Sequence, residues 1–193
     1  MVGSWDVKVS VSGMPQKVAT AVSKLSETLV GAEYTPIAYL GSQVVNGTNH
    51  AVLAEQLVVT GKDVKNIVVL IFNEKPGEME ATLVNIERVV EGGGELGGFK
   101  VDPQTEIPAE AKEAFDAVFA DRVGVKVEPF ALLGTQVTKG VDYIFAATVA
   151  PVALDAVTTV EIVVVNALIH RAEFIDVLAS RTGLGYAFTW LRK

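Results

Sequence analysis

The feature of the sequence that most restricts the fold is an internal repeat. A shift of 93 positions places Pro15 on Pro108, and the alignment then continues without a gap to Asn73 on Asn166. Fifteen of the aligned pairs are identical, and seven of them fall where Pro36–Gly47 meets Pro129–Gly140. A repeat of this length predicts two copies of one folding unit in place of a single large domain.

Both copies begin with the same pattern, a proline that suits the first turn of a helix, followed by apolar residues at helical spacing. The apolar stripe consists of Val18, Val22, Leu25 and Leu29 in the first copy and of Ala111, Phe115 and Val118 in the second. Gly31 and Gly124 follow the stripes, where a left-handed residue would end a helix. The pattern predicts one amphipathic helix in each copy.

Runs rich in Val, Ile, Phe and Tyr follow each helix and are bounded by Gly, Asn and Asp, which is typical of strands joined by turns. In the first copy these runs predict strands near Ile37–Val44, His50–Thr60, Ile67–Asn73 and Ala81–Val90. One long helix packed on such an antiparallel sheet is an α+β fold. The glycine-rich stretch Glu91–Gly98 predicts a linker, so we place unit one at residues 1–95 and unit two at residues 96–193.

The composition argues against several classes of function. A net charge of −7 repels nucleic acid phosphates and anionic lipids, so we expect no nucleic acid partner and no membrane partner. With no cysteine and only His50 and His170, the chain lacks disulfides, thiol nucleophiles and any histidine pair at metal-ligand spacing, and we expect no metal, no cofactor and no catalytic residue. The first residues lack a secretory signal pattern, which predicts a cytoplasmic location.

One motif resembles a known family. The segment Gln43-Val44-Val45-Asn46-Gly47, between two predicted strands and after the helix, resembles the Gln-x-Val-x-Gly signature of cystatins, in particular the cysteine-free stefin type. The stretches Phe72–Gly77 and Glu95–Phe99 are similar to the stefin second hairpin and C-terminus. The resemblance implies two tandem cystatin-like domains, each with one long helix on an antiparallel sheet.

The resemblance also implies a function, which is reversible, competitive inhibition of papain-like cysteine proteases without catalysis. In that family a glycine trunk and two hairpins enter the protease cleft together. Carried over to unit one, the protease-binding residues are Val2, Gly3, Gln43, Val44, Val45, Asn46, Gly47, Pro76 and Gly77. Carried over to unit two, they are Leu96, Gly97, Gly98, Gln136, Val137, Thr138, Lys139, Gly140 and, in the Ile169–Arg171 loop, His170.

Unit two departs from the signature, because Thr138 replaces its valine and Ile169–Arg171 stands where unit one has Pro76-Gly77. An ordinary β-hairpin explains Asn46-Gly47 equally well, since this dipeptide is a strong turn signal. The alternative function is therefore a non-inhibitory binding or structural module, because a fold does not determine a function. A domain-swapped homo-oligomer, formed by strand exchange at the first hairpin, suits that alternative.

Overall fold

The computed structural model describes residues 3–59, 63–93, 98–178 and 189–191 of the 193-residue chain. It divides the chain into two compact units, the first ending at Gly92 and the second beginning at Gly93. Of the predicted linker, residues 94–97 lie outside the described part.

Unit one is an antiparallel sheet of five strands with one helix inserted after the first strand. Its elements are β1 (Trp5–Ser10), α1 (Gln16–Thr28), β2 (Ala32–Val45), β3 (Gly47–Val59), β4 (Asp63–Glu74) and β5 (Thr82–Val90). The strands lie in the sheet in their order along the chain. Short connections between antiparallel neighbours account for the order of β2 to β5, and the connection through α1 brings the chain from β1 back to its neighbour β2.

Unit two repeats this plan and adds a strand at one edge. Its elements are β6 (Lys100–Gln104), α2 (Ala109–Phe119), β7 (Val125–Thr138), β8 (Gly140–Pro151), β9 (Thr159–Asn166), β10 (Arg171–Asp176) and β11 (Thr189–Leu191). The spatial order is β11-β10-β9-β8-β7-β6, with every pair antiparallel.

The predicted α+β fold of two cystatin-like domains, each built on one long helix, is wrong. The described residues are mostly β, and their two helices are short, with 13 and 11 residues. Helix α1 ends early because Leu29 adopts an extended backbone, with φ −94° and ψ 97°. The five longest strands instead have 14 residues in β2 and β7, 13 in β3, and 12 in β4 and β8.

The predicted helical stripes do form the contacts between helix and sheet. Val18, Val22 and Leu25 are buried against Val52, Val68, Leu70 and Phe72 of the sheet, whereas Leu29 lies beyond the helix and is partly exposed. Ala111, Phe115 and Val118 are buried in the same way in unit two. Burial of each such side chain contributes about 1.5–3 kcal/mol, so the helices are held chiefly by packing.

Gly31 and Gly124 have left-handed backbones, with φ +92° and +88°, but they follow the helices at a distance and do not cap them. Their carbonyl oxygens accept hydrogen bonds from the amides of Val59 and Val152. Each glycine therefore starts the strand that follows the helix.

Two glycines that are identical in the repeat are explained by close packing. An added Cβ at Gly41 would collide with the carbonyl oxygen of Asp6, and one at Gly134 would collide with that of Lys100. Both glycines also have positive φ and lie at irregularities in the pairing of β2 with β3 and of β7 with β8. The first strand of each unit can approach only because these positions lack a side chain.

Candidate functional site

Three separate segments of unit one meet at one end of its sheet. They are Gly3, the hairpin segment Gln43–Gly47 that joins β2 to β3, and the segment Asn73–Gly77 that leaves β4; together we call them the hairpin end of unit one. The amide of Gly3 donates to the carbonyl of Val44 at 3.1 Å, and Nε2 of Gln43 donates to the carbonyl of Gly3 at 2.7 Å. These bonds hold the segment before β1 against the first hairpin.

Side-chain amides continue this connection across the sheet. Nδ2 of Asn49 donates to Oε1 of Gln43 at 3.0 Å, and Nδ2 of Asn73 donates to Oδ1 of Asn49 at 2.8 Å. Nδ2 of Asn73 also lies 3.4 Å from the carbonyl oxygen of Asn46 at the hairpin tip. We call this row, Gln43, Asn49 and Asn73, the amide ladder. Hydrogen bonds in such a chain polarise and strengthen one another.

The tip of the first hairpin requires glycine for two reasons. Gly47 has φ +94°, a conformation that other residues adopt only with strain. An added Cβ would also lie 2.5 Å from the carbonyl oxygen of Glu74. The first hairpin is therefore pressed against the end of β4, and the strong turn signal Asn46-Gly47 is satisfied by tertiary contact as well as by turn geometry.

Apart from Glu74, the side chains at this end that do not take part in the ladder face solvent. Val44 is 59% exposed and Val45 is 38% exposed, while Asn46, Pro76 and Gly77 are exposed too. An added Cβ at Gly3 or Gly77 would meet nothing within 4 Å. The backbone here is thus held in place while its outer surface is free to contact another molecule. Val2 lies outside the described residues.

A cluster of ionisable groups lies beneath the first hairpin. Nδ1 of the buried His50 is 3.0 Å from the hydroxyl of Tyr39, and its Nε2 is 3.5 Å from Oε2 of Glu74. Oε1 of Glu74 pairs with Lys17 of α1 at 2.8 Å. Within the described part of the chain, Nε2 of His50 has no hydrogen-bond partner, so its interaction with Glu74 is electrostatic.

The surroundings shift the pKa values of these groups in definite directions. Burial lowers the pKa of His50, and the Glu74 carboxylate opposes this shift only in part. The hydrogen bond from Lys17 lowers the pKa of Glu74, with smaller contributions from charge attraction. Burial raises the pKa of the Tyr39 hydroxyl. At neutral pH the cluster therefore contains a neutral imidazole and a carboxylate that accepts a hydrogen bond from Lys17.

The corresponding end of unit two consists of Gln136–Gly140 and Asn166–Arg171, and we call it the hairpin end of unit two. Nδ2 of Asn166 lies 3.3 Å from the carbonyl oxygen of Lys139, as Asn73 does from that of Asn46. The same amide donates a hydrogen bond to Oδ1 of Asp142 at 2.5 Å. Oδ1 of Asn166 accepts hydrogen bonds from the backbone amides of Leu168 and Ile169. One asparagine thus ties the two loops of unit two together.

The exposed surface of that end differs from its counterpart in unit one. Val137 is 75% exposed, Leu168 64% and Ile169 59%, and Thr138, Lys139, Gly140 and His170 are exposed as well. Gly140 has φ +96°, and an added Cβ would lie 2.8 Å from Cβ of Leu168. His170 itself has a left-handed backbone, with φ +49°.

The third predicted segment of unit two is only partly described. Leu96 and Gly97 lie outside the described residues. Gly98 lies beside Gly93. The amide of Gly93 donates a hydrogen bond to the carbonyl oxygen of Phe99. The structure brings together the three predicted segments in unit one and two of them in unit two.

Sequence reasoning missed the residues that hold the hairpin end together. The sequence pattern predicts no site role for Asn49, Asn73 or His50. One signal was available: Asn73 is identical to Asn166 in the repeat although it lies within a strand, where asparagine is unfavourable. Among the described residues, no group of three histidine, aspartate or glutamate side chains is placed to hold a metal ion.

Comparison of the chain with family models, with curated proteins and with solved structures gives no match. The helices within the described ranges are also too short to cross a lipid bilayer.

Proposed function

We propose that this protein binds papain-like cysteine proteases and inhibits them reversibly, with the hairpin end of unit one as the principal contact. In this proposal it is not an enzyme, its inhibition is competitive and non-covalent, and it acts in the cytoplasm. We base the proposal on the resemblance of Gln43–Gly47 to an inhibitory signature and on the geometry around that segment.

One observation supports the proposal above the others. Gly3, Gln43–Gly47 and Pro76-Gly77, which are distant in sequence, lie at the same end of one sheet. The amide ladder holds them while Val44 and Val45 remain exposed. A surface that is rigid before binding loses little conformational entropy when it enters a cleft, which favours affinity.

Each element has a separate task in this mechanism. Val44 and Val45 supply apolar area against the walls of the cleft. Gly3 and Gly77, where a side chain would find open space, allow a wall of the protease to approach the backbone closely. The hairpin covers the catalytic cysteine without placing a peptide bond in position for attack, so the inhibitor is not cleaved.

Unit two is the second candidate contact. Its first loop keeps Gln136, Val137 and Gly140, but Thr138 adds a hydroxyl that must lose water on entering an apolar cleft. Its Leu168-Ile169 pair offers more apolar area than Pro76-Gly77 does. We therefore expect unit two to bind a given protease with a different affinity from unit one.

The test is a titration of papain with the whole chain, with hydrolysis of a small peptide substrate as the readout. We expect Val44→Glu to weaken inhibition at least about tenfold, or about 1.4 kcal/mol, because it forces a charge into an apolar contact. The matched control is Val30→Glu, since Val30 is fully exposed and precedes β2, whereas Val44 lies near its other end. At about 3.3 Å per residue the two positions are about 40 Å apart.

Unit two has an equivalent pair of variants, Val137→Glu and the control Val123→Glu, because Val123 is 97% exposed. A stoichiometry of two proteases per chain would mean that both units bind. Absence of inhibition at micromolar concentrations of the wild-type chain would contradict the proposal and favour the non-inhibitory binding module. The proposal would also be contradicted if Val44→Glu inhibited as well as its control Val30→Glu and, in the same titration, Val137→Glu inhibited as well as its control Val123→Glu.

A further inference from the structure

We propose that the hairpin end of unit one is acid-sensitive, with His50 as the buried proton acceptor whose protonation favours opening of the adjoining ends of β2, β3 and β4. The consequence for function, weaker binding of a protease by unit one in acid, rests on the proposed function. The opening of the strand ends in acid does not rest on the proposed function.

The position of His50 links its protonation to the first hairpin. His50 lies three residues after Gly47 on β3, and it pairs with Ser42 on β2 and with Phe72 on β4. His50 is only 7% exposed. Its imidazole contacts Tyr39 on β2 and Glu74 on β4, so we expect it to become hydrated when the ends of these strands, which carry Gln43–Gly47 and Asn73–Glu74, move away from β3. An imidazolium is therefore solvated in the open form and not in the closed form.

Every ionisable group that faces His50 is consistent with a neutral imidazole in the closed form. Tyr39 on β2 holds Nδ1 by its hydroxyl, and Glu74 on β4 faces Nε2 but is itself engaged by Lys17 of α1. The Asp6–Lys8 ion pair on β1 acts on Tyr39 and not on the imidazole. Among the described residues, the Glu74 carboxylate is thus the one anion that acts on the imidazole, and Glu74 is shared with Lys17.

The sign of the effect follows from the direction of the pKa shift. Burial lowers the pKa of His50 in the closed form, whereas an open form has a pKa of about 6.5. The open form thus takes up a proton first as the pH falls. Between pH 7 and pH 5 the open population rises by at most about 25-fold, the limit reached if the closed form stays unprotonated. Protonation of Glu74, whose pKa lies below 4.5, does not contribute above pH 5.

Unit two lacks this device and serves as an internal reference. In the repeat, Tyr143 stands in the place of His50, Ala167 in that of Glu74 and Leu132 in that of Tyr39. The only other histidine of the chain, His170, is exposed. Because an exposed side chain is hydrated in both the open and the closed form, the hairpin end of unit two should not open as the pH falls from 7 to 5.

The experiment is amide hydrogen exchange of the whole chain at pH 5 and pH 7, corrected for the intrinsic exchange rate, with an NMR titration of the His50 ring. We expect protection at Val44–Asn49 to fall several-fold at pH 5 while protection at Val137–Asp142 does not change. His50→Gln, which can still hydrogen-bond with Tyr39 and never becomes charged, should abolish the fall, and His170→Gln should not.

The proposal is wrong if wild-type protection is the same at both pH values, or if the fall persists in His50→Gln. It is also wrong if the His50 ring titrates at or above pH 6.5, a result that needs no variant. None of these measurements involves a protease, so the inference on opening can succeed or fail independently of the proposed inhibition.

Discussion

The side-chain amide of Asn73 donates to Oδ1 of Asn49 at 2.8 Å and points at the same time to the carbonyl oxygen of Asn46, 3.4 Å away. A residue near the end of β4 is in this way bonded to β3 and to the turn of the first hairpin. Asn166 makes the equivalent contact with the Lys139 carbonyl in unit two. Asn73 and Asn166 are therefore equivalent members of the polar network in the two units, and substitution of such an asparagine tests whether the network stabilises the hairpin.

Asn73→Asp should loosen the first hairpin. Aspartate keeps the size of asparagine but cannot donate, and its charge faces Oδ1 of Asn49 and the carbonyl of Asn46. We expect a loss of about 1–3 kcal/mol in the free energy of unfolding, measured by urea denaturation. Asn85→Asp on the edge strand β5, where Asn85 is exposed, is the control and should change it by less than about 0.5 kcal/mol. Equal effects of the two changes would argue against a role for the ladder.

Gly47→Ala should be more damaging than Gly77→Ala. Both glycines have positive φ, +94° and +83°, so both variants are strained by about 1–2 kcal/mol. Only at Gly47 does the new Cβ meet the Glu74 carbonyl, at 2.5 Å. We expect the free energy of unfolding to fall by at least about 1 kcal/mol more in Gly47→Ala than in Gly77→Ala, measured by thermal unfolding. If the two variants had the same melting temperature, the hairpin would accommodate the new Cβ at position 47 without loss of stability.

Gln43→Glu should release the segment before β1. The carboxylate can still accept from Asn49, but it cannot donate to the Gly3 carbonyl, and it repels that oxygen. The amide of Gly3, which donates to Val44, should exchange with solvent several-fold faster than in the wild type. Gln56→Glu, on the same sheet but bonded to Tyr34 and Asn66, should leave the exchange of the Gly3 amide unchanged.

Lys17→Met should raise the pKa of Glu74. The hydrogen bond from Lys17 is the main cause that lowers this pKa, so stability from the pair is present above about pH 4.5 and is lost as the pH falls through the pKa of the folded protein. Both side chains are partly exposed, 38% and 29%, which limits the contribution to about 0.5 kcal/mol. An NMR titration of the Glu74 carboxyl carbon measures the shift directly, with Lys75→Met as the control. A Glu74 pKa that does not rise in Lys17→Met would show that another group determines it.

The helical stripes and turns were predictable because local interactions encode them. Val18, Val22 and Leu25 recur at helical spacing and are buried, and the hairpins at Asn46-Gly47 and Lys139-Gly140 occur where the turn residues predict them. The fold class was predicted wrongly because periodicity does not say where a helix ends. An extended backbone at Leu29 shortens α1, and β1 was too short to stand out as a strand.

By itself, the sequence determined that the chain has two copies of one pattern, with glycine at the first turn of each and apolar stripes ahead of the strands. Only the tertiary structure decided which side chains meet at those turns. Asn73 lies 24 residues from Asn49, and Gln43 lies 40 residues from Gly3, so no local preference links them. Their contacts arise when antiparallel strands take their register, because register places distant residues side by side and buries His50 beneath them.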